Sequence, residues 1–287
     1  MATRMNNKFN SNMSRVLHKL GRNVRLGLSI LLFFVFLFPY YYIMLQSVTP
    51  WSFIDKTIIP KGFTIDSYLY LLTNGGSANK LMWIRALANS LIVSLTATTI
   101  SVLTGLLIAY ALTKLKFRGH SVIYNFILFQ MFFPSIILLV PQYLLLRPLV
   151  NTYIGMILPS TISLWAVLMY YNYFKTFPSD IFESARIDGA GELRIALLIA
   201  LPICRTISII VFLSIFLGRW SELMWDMLMA PNVEMQTLNV LITTQFKPMG
   251  NLPGPLYAAS TILTLPILVL FFLFSKYFKE GITIQFK

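Results

Sequence analysis

The sequence predicts an all-α membrane protein with six transmembrane helices and a cytoplasmic helix–turn–helix between spans 4 and 5. Three observations carry this expectation. Of the 287 residues, 57% are hydrophobic and 11% are charged, whereas about a quarter of a soluble domain is charged. Six largely apolar windows have about the 20 residues or more that a helix needs to cross a hydrocarbon layer. They are Leu26–Ser47, Ala86–Leu112, Val122–Leu146, Ile154–Phe174, Ile203–Leu228 and Leu256–Phe274. Finally, the 23 Lys and Arg residues, which leave a net charge of +13, alternate between dense and sparse loops.

The dense loops hold Arg4, Lys8, Arg15, Lys19, Arg22 and Arg25 at the amino terminus, then Lys114, Lys116 and Arg118, then Lys175, Arg186, Arg194 and Arg205, and last Lys276, Lys279 and Lys287. The alternate loops hold only Lys56, Lys61, Lys80, Arg147 and Lys247, while Arg85 and Arg219 fall at or inside span edges. Cationic loops stay on the cytoplasmic side, so both termini are expected inside and the basic excess reflects topology rather than nucleic-acid binding. The chain divides into a cytoplasmic amino-terminal segment (1–25), a six-span domain (26–275) whose cytoplasmic loop covers about 175–202, and a cytoplasmic tail (276–287).

Span 1 is longer than a signal-peptide core, and "FPYYYIMLQSV" offers no small-x-small cleavage site, so a retained helix is expected. The preceding "SRVLHKLGRNVR" has weak amphipathic character: it either lies on the inner surface or only supplies topology-setting charge. In the loop Thr49–Trp83, "PKGFTIDSYLYLLTNGGS" suggests a short helix flanked by turns. Spans 2 and 3 are joined by a tight basic turn, "TKLKFRGHS". Pro134 and Pro141 in span 3, Pro159 in span 4 and Pro266 in span 6 each delete a helical hydrogen bond and are expected to kink or break their helices. The single cysteine, Cys204, excludes an intramolecular disulfide and reads as a small hydrophobe.

Between spans 4 and 5 the stretch "ESARIDGAGELRIALLIALP" places charges and two glycines in an otherwise apolar chain. Acidic residues at the start of "DIFESAR" suit a helix amino terminus. Gly189 and Gly191 are expected to stop that helix, a second helix to run from Glu192 toward Leu201, and Pro202 to mark the return into span 5. On physical grounds alone this is either an interfacial connector or an exposed handle for a soluble partner.

The run Glu183, Ser184, Ala185, then Asp188, Gly189, Ala190, Gly191 and, ten residues on, Leu201-Pro202 resembles the EAA signature of ABC importer permeases, in particular the carbohydrate-uptake branch that includes the smaller permease subunit of the maltose system. Similar likeness extends through "NSLIVSLTATTISVLTGLLIAYALTKLKFRG", "VPQYLLLRPLVNTYIGMILP" and "YFKEGI". Ser184 departs from the usual alanine by a small-for-small change. The resemblance implies that the loop carries a coupling helix that inserts into a cleft of an ABC ATPase dimer. It also implies a second, non-identical permease subunit, an extracytoplasmic solute-binding protein and a carbohydrate cargo. The sequence contains no G-x-x-x-x-G-K-[ST] phosphate loop; the chain is therefore expected to bind no cofactor itself, with ATP and Mg²⁺ held by the partner.

Near the end of span 5, "FLGRWSELMWDMLMAP" sets Arg219, Trp220, Glu222 and Asp226 close together. Arg219 either snorkels or pairs with Glu222 at i,i+3, or it faces a solute path, in which case the cargo would be an acidic saccharide. Trp220, Trp225, Tyr170, Tyr171 and Tyr173 either stack on sugar rings or anchor the interface. The main rival is an ion-coupled secondary transporter using Glu222 and Asp226. An intramembrane enzyme is disfavoured by the lack of H-E-x-x-H and by His18 and His120 lying in cytoplasmic segments.

Overall fold

The computed structural model describes residues 2–73, 81–115, 117–246 and 252–284, with side chains from Gly21 to Lys276 within that set. Lys80, Lys116, Lys247, Lys287 and residues 74–77 of the first outer loop lie outside the described residues. Helix α1 (Ala2–Ser47) is continuous, so the basic amino-terminal segment extends span 1 rather than forming a separate surface element. Its apolar part, Gly21–Ser47, stands clear of the remaining helices until Tyr42, where the lower exposure begins. The short outer helix expected from the sequence is α2 (Asp66–Thr73).

Span 2 is α3 (Met82–Lys114), four residues longer at its outer end than the apolar window. Ser101, Gly105 and Ala109 form an i,i+4 stripe of small, buried residues along it. Such stripes let helix backbones approach closely in a membrane, and α3 packs along α7 (Leu164–Lys175). A Cβ placed on Gly105 would lie 2.7 Å from Ala166 Cβ, so glycine is required by contact rather than by backbone conformation.

Span 3 is not one helix. It comprises α4 (His120–Gln130) and, after a break ending at Pro134, α5 (Leu139–Leu146), the two arms meeting at 96°. Pro141 causes no break, because it occupies the first turn of α5, where a missing N–H has no intrahelical partner to lose. Span 4 is split into α6 (Tyr153–Ile157), which continues as a 3-10 turn over Leu158–Ser160 containing Pro159, and α7, the two arms bent by 41° across residues 161–163.

The loop between spans 4 and 5 forms α8 (Asp180–Ile187), a turn, α9 (Glu192–Ile195), a π-helical turn over Ala196–Ala200 and α10 (Leu201–Ile203). Pro202 does not begin the return into span 5; helical geometry continues past it, and the 88° bend falls at Cys204. Span 5 is consequently α11 (Arg205–Trp220), which ends eight residues before the apolar window does. A break at Ser221–Leu223 precedes α12 (Met224–Met229), which folds back against α6 and α5. Helix α13 (Leu238–Phe246) follows, and α14 (Pro253–Ile284) is span 6. Pro266 lies inside α14 without ending it.

The α3–α7 seam gives a direct test. Gly105→Leu is expected to destabilise the purified protein by about 1–3 kcal/mol through overpacking, read as a lower thermal midpoint in detergent. The exposed Gly27→Leu, with no atom near its Cβ position, should leave the midpoint unchanged.

Candidate functional site

At the end of the bundle that carries the loop between spans 4 and 5, Phe182 anchors α8. Its ring is fully buried against Tyr110 and Phe174, and Lys114 Nζ lies 4.9 Å from its centroid. The amphipathic helix therefore buries one face against the bundle and presents the other outward. Ile187 is 86% exposed and Leu193 62% exposed, flanking the turn. Gly189 takes φ +82°, the left-handed region where glycine is least strained, while Gly191 is extended. Ala190 N–H donates to Ala185 O at 3.0 Å and Gly189 N–H to Arg186 O at 3.0 Å, closing the helix end. Glu183, Ser184 and Asp188 are exposed; Ser184 Oγ donates to Asp180 O at 2.6 Å. Leu201 packs into the core, whereas Pro202 is exposed.

A polar bracket fixes this loop to α3. Arg186 Nε donates to Glu192 Oε1 at 2.7 Å, Arg186 Nη2 to Glu192 Oε2 at 3.3 Å and to Lys114 O at 3.2 Å, and Tyr110 Oη to Glu192 Oε2 at 2.6 Å. Lys114 Nζ donates to Phe177 O at 3.0 Å. The Arg186 guanidinium first, and the Tyr110 hydroxyl next, hold the Glu192 carboxyl below the usual glutamate range.

Within the membrane, Arg219 is 5% exposed. Its partner is Asp226, not Glu222: Nη1 donates to Oδ2 at 3.0 Å and Nη2 to Oδ1 at 2.6 Å, with Met156 O accepting from Nη2 at 3.2 Å. A continuous helix would separate residues seven apart by about 10.5 Å of rise; the break at Ser221–Leu223 allows them to meet. Trp220 is buried. Its indole Nε1 donates to Leu263 O at 3.0 Å and its ring stacks on Phe216, placing it between α11 and α14. Trp225 and Tyr170 are likewise buried and hydrogen-bonded, to Gly155 O and Ser208 respectively, and Tyr171 stacks on Tyr124 at 4.0 Å. These aromatic side chains are packing groups.

Of the three residues expected at a solute path, Arg219 and Glu222 line a cavity of about 410 Å³, together with Ser160, Ser163, Trp165 and Ser214. Sequence reasoning missed Trp165 because it lies in a window read only as a span. It also missed the bracket residues Glu192 and Tyr110, which are 82 positions apart; Arg186 and Glu192 at i,i+6 across a glycine turn were the one local signal.

The bracket has a defined pH response. Because Glu192 is depressed in the folded state, its contribution is present above the ordinary glutamate pKa of about 4.3 and is lost as pH falls through the lower folded value. Hydrogen exchange over 182–191 is therefore expected to be flat from about pH 8 to 5 after correction for intrinsic rates. Glu192→Gln should raise exchange there across that range and leave α3 above Tyr110 protected.

Residues 101–284 match the family described as binding-protein-dependent transport system inner membrane component. The arabinooligosaccharides transport system permease protein AraQ of Bacillus subtilis is 29% identical over 257 residues, covering 87% of this chain and 90% of that protein. The trehalose/maltose transport system permease protein MalG of Thermococcus litoralis is 29% identical, covering 89% of this chain and 92% of the relative. In fold, the chain is similar to a chain of a bacterial ABC transporter involved in the import of the acidic polysaccharide alginate, with TM-score 0.80 at 20% identity over 91% of this chain and 97% of the other. With the helical membrane fold and the family match covering well over half of its length, the chain belongs to the inner-membrane permease components of binding-protein-dependent transport systems.

Proposed function

We propose that this chain is the permease subunit of an ATP-driven importer of oligosaccharides, forming one half of the solute path and coupled to a separate ABC ATPase dimer through residues 180–203. The single observation that carries the coupling reading is the loop geometry: α8 and α9 meet at a left-handed Gly189, with Ile187 and Leu193 exposed outward and Phe182 buried inward. An apolar outward face beside a rigidly held turn suits insertion into a cleft. The oligosaccharide and disaccharide cargo of the named relatives supports a saccharide for this one.

Glu183, Ser184, Ala185, Asp188, Gly189, Ala190 and Gly191 form or adjoin the docking element, and Leu201-Pro202 connects it to α11. ATP and Mg²⁺ are held by the partner, since the sequence has no phosphate loop. Nucleotide-driven closure of the ATPase dimer displaces the docked loop, and the 88° junction at Cys204 turns that displacement into tilting of α11. The permease then exchanges inward-open and outward-open states, biased by whichever state the nucleotide favours.

The apolar part of α1 has no buried residue in its most hydrophobic stretch, which supports packing against a second, non-identical permease as well as lipid. Lys114, Lys175, Arg186 and Arg194 gather at the loop end of the bundle, which supports an inside location for that end and for both termini. An extracytoplasmic solute-binding protein delivers cargo at the opposite end. Glu222 and the cavity beside it lie on the solute path.

Affinity purification from the native membrane is the test. Recovery of one ABC ATPase and one different permease is expected. Ile187→Asp should lose the ATPase while retaining the second permease. Gly189→Trp, strained by its φ and bulky at the docking face, should retain ATP hydrolysis and reduce uptake to background. Recovery of the chain alone, with uptake driven by an ion gradient, would overturn the importer reading.

A further inference from the structure

Building on the importer reading, we infer that the cavity beside Glu222 selects neutral saccharides over uronate-bearing ones, and that Asp226 sets this choice by occupying the charge of Arg219.

Arg219 is the one cation among the described residues lining the cavity. Both of its terminal nitrogens are committed, Nη1 to Asp226 Oδ2 and Nη2 to Asp226 Oδ1 and Met156 O. Its Nε is buried without a partner and is shielded from solvent. The side chains of the pair are only 4% and 2% exposed. Asp226 neutralises the guanidinium through a two-point ion pair, so the pair adds no net charge to the wall.

What the wall does present is a carboxylate, hydroxyls and an indole. The Glu222 carboxylate accepts one hydrogen bond, from Trp225 N–H at 3.2 Å, and the residue remains partly exposed. Ser160, Ser163 and Ser214 add hydroxyls, and Trp165 adds a flat apolar surface. Ile162 and Ile215 add apolar surface between these polar groups, a mixed lining that can both orient and pack a small solute. This set suits a neutral sugar ring, whose hydroxyls can donate to Glu222 and whose C–H face can lie on Trp165. A uronate would bring a second negative charge beside Glu222, with Arg219 already neutralised by Asp226 and no other cation among the described lining residues to offset it. The acidic-cargo expectation depended on a free Arg219; the fold gives that charge to Asp226.

Because the solute-binding protein has selectivity of its own, the measurement uses the permease–ATPase complex in nanodiscs without it. Arabinotriose, maltotriose and trigalacturonate are titrated and binding is read by saturation-transfer NMR. At least one neutral trisaccharide is expected to bind at least about tenfold more tightly than trigalacturonate. Asp226→Asn, which bares Arg219, and Glu222→Gln, which removes the remaining negative charge, should each shrink that ratio; Trp165→Ala should weaken the neutral sugars. Should Asp226→Asn fail to assemble, the wild-type ratio and Glu222→Gln decide, since the Glu222 side chain makes one hydrogen bond, to Trp225 N–H, and glutamine keeps an acceptor for it. Equal or tighter binding of trigalacturonate by the wild-type complex, or a ratio indifferent to Glu222→Gln, would overturn the inference while leaving the importer reading intact. Failure of the full assembly, with its binding protein, to import any saccharide would overturn the importer reading instead, and this inference with it.

Discussion

Inside a bilayer, a backbone carbonyl or amide freed by a helix break has no water to turn to, so each break must be satisfied by protein. In this chain α3 supplies many of those partners. Ser101 Oγ donates to Ser160 O, and Thr104 Oγ1 to Thr161 O at 2.6 Å, covering the interruption between α6 and α7. Nearer the outer end, Asn89 Nδ2 donates to Glu234 O and Gln236 O, Asn89 Oδ1 accepts from Tyr153 Oη, and Ser90 Oγ accepts from Leu238 N–H. One long, regular helix thus makes the irregular segments around it affordable. Asn89, Ser90 and Ser101 would be costly facing lipid without partners and are instead buried against the breaks they serve.

The Arg219–Asp226 pair obeys the same constraint with charge. It joins the end of α11 to α12 and, through Met156 O, to α6. Removing either partner would leave a buried charge uncompensated, a cost of about 3–5 kcal/mol in comparable settings. The pair also explains why α11 stops at Trp220. A straight continuation would carry Asp226 away from Arg219, whereas the turn at Ser221–Leu223 brings α12 back beneath it.

The coupling loop and the cavity are linked through α3. Tyr110, which holds Glu192, and Ser101, which borders the cavity, are nine residues apart on one helix, or about 13.5 Å at the usual rise. Movement imposed on α8 therefore has two outlets: through the bracket into α3, and through the Cys204 junction into α11. Both helices reach the same cavity, so under the proposed coupling a displaced loop would act on two of its walls at once.

Composition, the six apolar windows and the basic loops were enough to establish an all-helical membrane protein, because partition into hydrocarbon depends on residue type and stretch length rather than on neighbours. The α8–turn–α9 loop was legible for a similar reason: acids, a left-handed glycine and a buried Phe182 act locally. Tertiary structure decided the rest. Whether a proline breaks its helix depended on what surrounds it: Pro134 and Pro159 fall at helix interruptions, while Pro141 and Pro266 do not. Arg219's partner was invisible because i,i+7 residues cannot meet on an unbroken helix, and the Tyr110–Glu192 contact was invisible because its members are distant in sequence. Long-range pairing of polar groups is settled by which ones the fold brings within reach once water is gone, and local patterns carry no record of that.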